Sequence, residues 1–263
     1  MKVTDIENAL FALAPKNLAE EWDNVGLMCG DEEQPVNRIF VCLELNAKTL
    51  SQAIDFRPDL IITHHPLIFK SLSSVTENTA SGHYVRTLIK NNISLISMHT
   101  NFDKANGGMN DLLANALGLD DVRPYFDDEC LSPEGKPISN IGRVGTLEPS
   151  MTLEDFSAFV RATLGCGNLR TVGDLSEEIS TVALCSGSGG DLLGCAYHAG
   201  ADVYLTGDIS HHEAQSAVEI GLNLIDAGHF ETENIICDFL ESFLNENFPE
   251  IEVLKAETTS YFN

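Results

Sequence analysis

The run Asp59-Leu-Ile-Ile-Thr-His-His-Pro66 is answered far along the chain by Asp202-Val-Tyr-Leu-Thr-Gly-Asp208. Each is a short apolar stretch that breaks off into polar residues, the signature of a buried strand rather than a helix. Outward from the first lie a strand-like run, Arg38 to Leu43, and a helical pattern, Ala47 to Phe56. Outward from the second lie Thr181 to Cys185 and Asp191 to Ala199, in the same order. Cys42 and Thr63 are 21 residues apart, as are Cys185 and Thr206. Further on, Ile93-Ser-Leu-Ile-Ser-Met-His99 parallels Leu222-Asn-Leu-Ile-Asp-Ala-Gly-His229, and each histidine has a carboxylate four residues later, Asp103 and Glu233. Three matches in one order imply an internal duplication. Alternating strands and helices imply a largely parallel sheet, whose ligands bind outside the carboxyl ends of the strands.

The expected fold is therefore α/β: two similar, internally duplicated α/β lobes around a cleft, with a small α+β insertion. The first lobe spans residues 1–122, the inserted α+β segment 123–180, and the second lobe 181–263. Thr4 and Glu7 suggest a capping box opening a first helix with Ile6, Leu10 and Leu13 on one face, and Pro15 follows its end. The insertion opens with Asp127-Asp128-Glu129 and the turn-rich Ser132-Pro-Glu-Gly-Lys-Pro137. Strands are expected over Arg143 to Leu147 and Asn168 to Gly173, and a helix over Thr152 to Leu164 begun by a Thr152/Asp155 pair. Ser71 to Ser81 reads as a mobile loop just after the histidine pair.

Hydrophobic residues make up 43% and charged residues 21%, the proportions of a globular protein able to bury a core. The 40 acidic against 15 basic residues leave a net charge of −25, which repels nucleic acid and anionic lipid headgroups. Seven cysteines at 29, 42, 130, 166, 185, 195 and 237 include no two-residue-spaced pair. They read as reduced, mostly core thiols, which points to the cytoplasm. No apolar leader or membrane-length run occurs, so neither export nor a membrane partner is expected.

Divalent metals of the first transition row take imidazole nitrogens and carboxylate oxygens converging from stiff elements, and His64, His65, Asp103, His229 and Glu233 can supply them. Five donors exceed one tetrahedral zinc and fit two ions sharing a carboxylate, a hydrolytic arrangement. His99 and Asp103 come a turn apart if Thr100 to Asp103 is helical, and His99 can instead hold a ligand in place. Asp208, His211 and His212 stand where the second repeat matches His64-His65 and are candidates to support the same cleft. His83 and His198 read as structural. Gly187-Ser-Gly-Gly190 can be a structural turn or a phosphate cradle, without a full phosphate-loop motif. No nucleophile elbow is present.

Taken together, Glu21-Trp-Asp-Asn-Val-Gly-Leu27, Thr63-His-His-Pro-Leu67, His99-Thr-Asn-Phe-Asp103, Thr206-Gly-Asp208 and Gly228-His-Phe-Glu-Thr-Glu233 resemble the GTP cyclohydrolase 1 type 2 homologue family, also called NIF-three-like. The resemblance covers nearly the whole chain. It implies two divalent ions per chain, zinc, iron, manganese, cobalt or nickel, with His64 on one, His65, Asp103 and His229 around the other, and Glu233 as the bridge. It also implies a toroidal homohexamer and a reaction that opens the guanine ring of GTP with release of formate. Trp22 to Gly26 matches a signature to which no chemical role attaches. Arg86, Lys90 and Arg143 are candidates for the triphosphate by charge alone.

Three functions compete on this reading: a metal-dependent hydrolase of a nucleotide-like or other small molecule; a metal-binding scaffold or regulatory protein without turnover; and a metal-dependent phosphodiesterase, against which the acidic charge counts.

Overall fold

A computed structural model describes residues 1–126 and 140–262, so the Asp127-Asp128-Glu129 run, Cys130 and Ser132 to Pro137 lie outside the described residues. The chain divides into two compact units, one formed by Met1–Ala105 with Ile236–Thr259 and the other centred on Asn106–Ile235. The compositional boundaries at 122/123 and 180/181 separate the repeats from the intervening stretch, whereas the compact units divide at 105/106 and 235/236.

In the first unit, strands β1 (Gly26–Cys29), β2 (Arg38–Cys42), β3 (Leu60–Thr63), β4 (Ser94–Ser97) and β11 (Glu252–Lys255) form one sheet in the order β1-β4-β3-β2-β11. All four residues of β3 are buried, as a central parallel strand covered on both faces requires. The helices of this unit are α1 (Val3–Leu13), α2 (Ala47–Phe56), α3 (Ala80–Lys90), α4 (Thr100–Lys104) and α10 (Ile235–Asn247). Asn46 starts α2, its side-chain oxygen accepting from the Lys48 and Thr49 N–H groups. Leu50 and Ala53 then bury against Phe40, Ile61 and Leu95. Each such aliphatic side chain removed from water contributes about 1.5–3 kcal/mol.

The second unit holds β5 (Asp120–Pro124), β6 (Arg143–Thr152), β7 (Arg170–Val172), β8 (Glu178–Ser188), β9 (Val203–Gly207) and β10 (Asn223–Asp226), in the order β5-β6-β8-β9-β10-β7. Its helices are α5 (Met109–Ala116), α6 (Leu153–Leu164), α7 (Leu193–His198), α8 (His211–Ile220) and α9 (His229–Glu233). The α+β stretch expected between the repeats is present as β6, α6 and β7, and it lends strands to this sheet. Thr152 caps α6 as expected, accepting from the Asp155 N–H at 3.1 Å.

The duplication is visible in the register. Ile39 pairs with Leu60 between β2 and β3, and Val182 with Val203 between β8 and β9, the same 21-residue offset in each unit. A third parallel strand follows in each, β4 beside β3 and β10 beside β9. An antiparallel edge strand closes each on that side, β1 against β4 and β7 against β10. The opposite sides differ, since β11 runs parallel to β2 and ends the first sheet, while β6 runs antiparallel to β8 and is followed by the edge strand β5.

One expectation is corrected at the start of the chain. α1 begins at Val3, so Thr4 lies inside its first turn, and the Asp5 carboxylate accepts from the Lys2 N–H at 2.8 Å. Glu7 instead accepts from Lys16 Nζ and the Leu27 N–H, fastening the chain between α1 and β1. Among the described residues no disulfide forms, and five of the six described cysteines are buried. Burial pushes the Cys166 and Cys237 thiols up to about 12, so they behave as small apolar residues. Among the described residues no helix is long and apolar enough to cross a membrane.

Candidate metal centre

In the first unit, the candidate donors sit where β3 and β4 end. The chain leaves β3 with the N–H groups of both His64 and His65 donating to the Leu43 carbonyl, which fixes both residues against the end of β2. Past β4, His99 precedes the five-residue α4, and Asp103 returns one turn later with its N–H on the His99 carbonyl at 3.1 Å. Helicity after His99, the condition for bringing the two residues onto one turn, is met. The rings of His64, His65 and His99 converge, with centroids 5.1–5.7 Å apart and one nitrogen from each within 4.8 Å of the others. Asp103 Oδ1 lies 3.5 Å from His64 Nε2, and both side chains are buried.

Each of these imidazoles is held by its other nitrogen. His64 Nδ1 lies 2.7 Å from the Met98 carbonyl, His65 Nδ1 3.1 Å from Glu44 Oε2, and His99 Nδ1 2.9 Å from Asp23 Oδ1. Carbonyl and carboxylate oxygens only accept, so Nδ1 donates and Nε2 carries the lone pair of the neutral ring. That tautomer is the one a metal-binding histidine requires. Burial opposes ionisation of Asp23. Hydrogen bonds from His99 and from Thr100, whose hydroxyl approaches at 2.5 Å, outweigh it and hold the Asp23 carboxyl at about 2.

In the second unit, α9 carries His229 at its first residue and Glu233 at its last. His229 Nε2 lies 3.1 Å from Glu233 Oε2, and its Nδ1 lies 2.7 Å from Asp208 Oδ2. Asp208 occupies the left-handed region at φ 58°, which aspartate tolerates better than most residues. Gly187, at φ +65°, lies so close to Glu233 Oε1 that a Cβ there would collide with it, and its N–H donates to Thr232 Oγ1 at 2.9 Å. Of the two readings of the glycine turn, this contact gives it a structural part: the turn makes room for the α9 carboxylate.

A simple test of fit uses donor spacing. Two ligands about 2.1 Å from one ion at a tetrahedral angle lie about 3.4 Å apart. The 3.5 Å between His64 Nε2 and Asp103 Oδ1 matches that separation, which favours one shared ion for these two over the division between two ions that the resemblance implies, and the 3.1 Å between His229 Nε2 and Glu233 Oε2 matches a somewhat narrower angle. Mixed nitrogen and oxygen donors suit zinc, iron, manganese, cobalt or nickel.

Of the other sequence candidates, Asp208 is bonded to His229, whereas His211 and His212 are exposed in the first turn of α8 with their rings against each other. Arg143 is overturned as a phosphate contact. Its side chain is buried, paired with Asp111 at 2.5 Å and bonded to the Ile141 and Gly142 carbonyls, because it seals the start of β6. Arg86 and Lys90 pair with Glu77 on the exposed side of α3, beside His83.

A family profile described as Duf34/NIF3 (NGG1p interacting factor 3) matches residues 1–260. The chain belongs to this family. Among its Duf34/NIF3 relatives, a GTP cyclohydrolase 1 type 2 homolog of Clostridium perfringens is 39% identical over 236 residues, covering 89% of this chain and 87% of its own. A Campylobacter jejuni protein of the same description is 35% identical, covering 95% and 94%. The crystal structure of a Staphylococcus aureus hypothetical protein superposes with a TM-score of 0.89 at 32% identity, covering 100% of this chain and 99% of that one. Within this Duf34/NIF3 chain, sequence reading missed Asp23, Glu44 and Gly187 as supports of the candidate donors. The Asp23 signal was present in the Trp22 to Gly26 signature, whereas nothing marked Glu44 beyond its place after β2.

Proposed function

We propose that this Duf34/NIF3 chain binds a pair of divalent metal ions through His64, His65, Asp103, His229 and Glu233 and serves as a metal-dependent hydrolase. One observation carries the reading: His64 and His229 each face an oxygen acceptor with both ring nitrogens. A neutral imidazole holds one N–H, so one contact on each ring calls for a cation. His64 is fully buried, where a second proton on the ring is costly to desolvate. A divalent ion would be held at each of His64 and His229, with the buried Asp103 and Glu233 carboxylates as neutralising partners, and at buried His64 it would replace the costly second proton.

When bound, the ions would supply Lewis acidity for the attack of water on an electrophilic carbon. The chain's own residues do the rest. The Met98 carbonyl, Glu44 and Asp208 fix the tautomers of His64, His65 and His229, and Asp23 fixes His99 beside them. The relatives' description as GTP cyclohydrolase 1 type 2 homologs makes opening of the guanine ring of GTP with release of formate the first reaction to test. A homohexameric ring acting in the cytoplasm completes the reading.

The test is elemental analysis of the purified protein alongside formate release from GTP, on wild type, His65→Ala and Glu233→Ala. About two ions per chain, with ions and formate release lost together in both variants, supports the reading. Ions lost on substitution with no formate from any sample keeps the metal centre and rejects GTP. Retention of both ions in Glu233→Ala overturns the bridging role.

A further inference from the structure

Trp22 is the single tryptophan of the chain, and its indole is 60% exposed although the residue after it is one of the most firmly tied in the first unit. Asp23 accepts from His99 Nδ1, from the Thr100 N–H and from the Thr100 hydroxyl. Its own N–H donates to the Glu20 carbonyl, and the Glu20 N–H donates to Thr100 Oγ1. Asn24, on the other side, donates from its side chain to the Ile68 carbonyl at 2.6 Å, which joins this loop to the segment carrying Phe69. Phe69 is 43% exposed. The indole and phenyl rings meet edge to face, with centroids 5.8 Å apart at 65°. Each lies 6.3 Å from the His99 ring, at 73° and 87°. Two large apolar rings are thus held in water by a rigid scaffold, at the rim of the His64, His65 and His99 cluster rather than on the outer face of a helix or sheet.

We propose that Trp22 and Phe69 form a binding platform for a planar nitrogen heterocycle, which stacks on one ring and meets the edge of the other. This rests on the reading of the adjacent histidines as metal donors, since it places the flat ring of the substrate beside them. A heteroaromatic base has a π-face to lay on one ring and a polar edge to turn toward the adjacent histidines. The hydrogen bonds of Asp23 and Asn24 hold the loop in place before the ligand arrives, so little ordering cost falls on binding. Trp22 and Phe69 bind and orient in this scheme and move no proton.

Trp22 fluorescence reports occupancy directly, because no other indole contributes. The full chain, with its metal content measured, is titrated with guanosine and separately with ribose. The expected result is saturable quenching by guanosine and none by ribose. Phe69→Ala, followed by the same fluorescence, and Trp22→Ala, followed by calorimetry, should each weaken guanosine by about 5- to 150-fold without changing metal content. No quenching on metal-replete protein overturns the platform while leaving the metal centre standing. Unchanged guanosine affinity in both variants also overturns it. So does dissociation of the oligomer in the variants with guanosine still bound as in wild type, which would make the rings a subunit contact. Quenching and variant effects in a protein without metal support the platform and remove the metal reading instead.

Discussion

Replacing Gly187 by alanine isolates the geometry of the α9 carboxylate. Two costs arise. The first is backbone strain, because Gly187 sits at φ +65°, where a side chain costs about 1–2 kcal/mol. The second is a collision: the new Cβ would lie well inside contact distance of Glu233 Oε1, 3.1 Å from its Cδ and 3.4 Å from His229 Nε2. Ordinary contact requires the oxygen to retreat by about 1 Å. Metal coordination tolerates only about 0.2 Å. Gly221, at φ +73°, pays the same strain, but nothing lies within 4 Å of its added Cβ. Both variants should therefore lose about 1–2 kcal/mol of stability in chemical denaturation, and only Gly187→Ala should lose metal by elemental analysis after dialysis against a weak chelator. Equal metal retention in the two variants would refute the placement of Glu233 as a ligand held by this turn.

Asp208→Asn keeps a residue that tolerates the left-handed backbone but removes the charge behind His229, and metal affinity by competition with a chromogenic chelator should fall by about tenfold; unchanged affinity counts against the orienting role. Asp23 is held at about 2, below its ordinary 3.8, so its contribution is complete above about pH 4 and is lost as pH falls towards 2. Between those pH values the wild type should lose up to about 2 kcal/mol more stability than Asp23→Asn, measured by urea midpoints across that range, and parallel curves would sink the assignment. Arg143→Met leaves the Asp111 carboxylate without its buried partner and should cost about 3 kcal/mol by denaturation, whereas a loss below about 1 kcal/mol would show the pair to be dispensable.

The repeat was legible because parallel pairing copies sequence spacing: a 21-residue offset in the letters is the same offset between paired strands. The candidate ligands were legible because the runs that carry them follow the ends of strands, where an apolar run gives way to polar residues. The partners that orient them were not, because Asp23 reaches His99 and Glu44 reaches His65 across strand ends far apart in sequence. No window of periodicity contains such a pair. Arg143 misled for a related reason, since its charge was plain in the letters and its burial depended on Asp111, a residue of α5.

The strand β11 has a consequence for synthesis. It lies beside β2 in the first sheet, yet it is encoded about 150 residues after Ala105, where the rest of that sheet is complete. At ribosomal rates of about 5–20 residues per second, the edge of β2 waits roughly 8–30 s for its neighbour. Throughout that interval an apolar strand edge stands open to other nascent chains. The second unit, whose strands are contiguous in sequence, can close first, and the order of emergence makes the first half of the gene the last to finish folding.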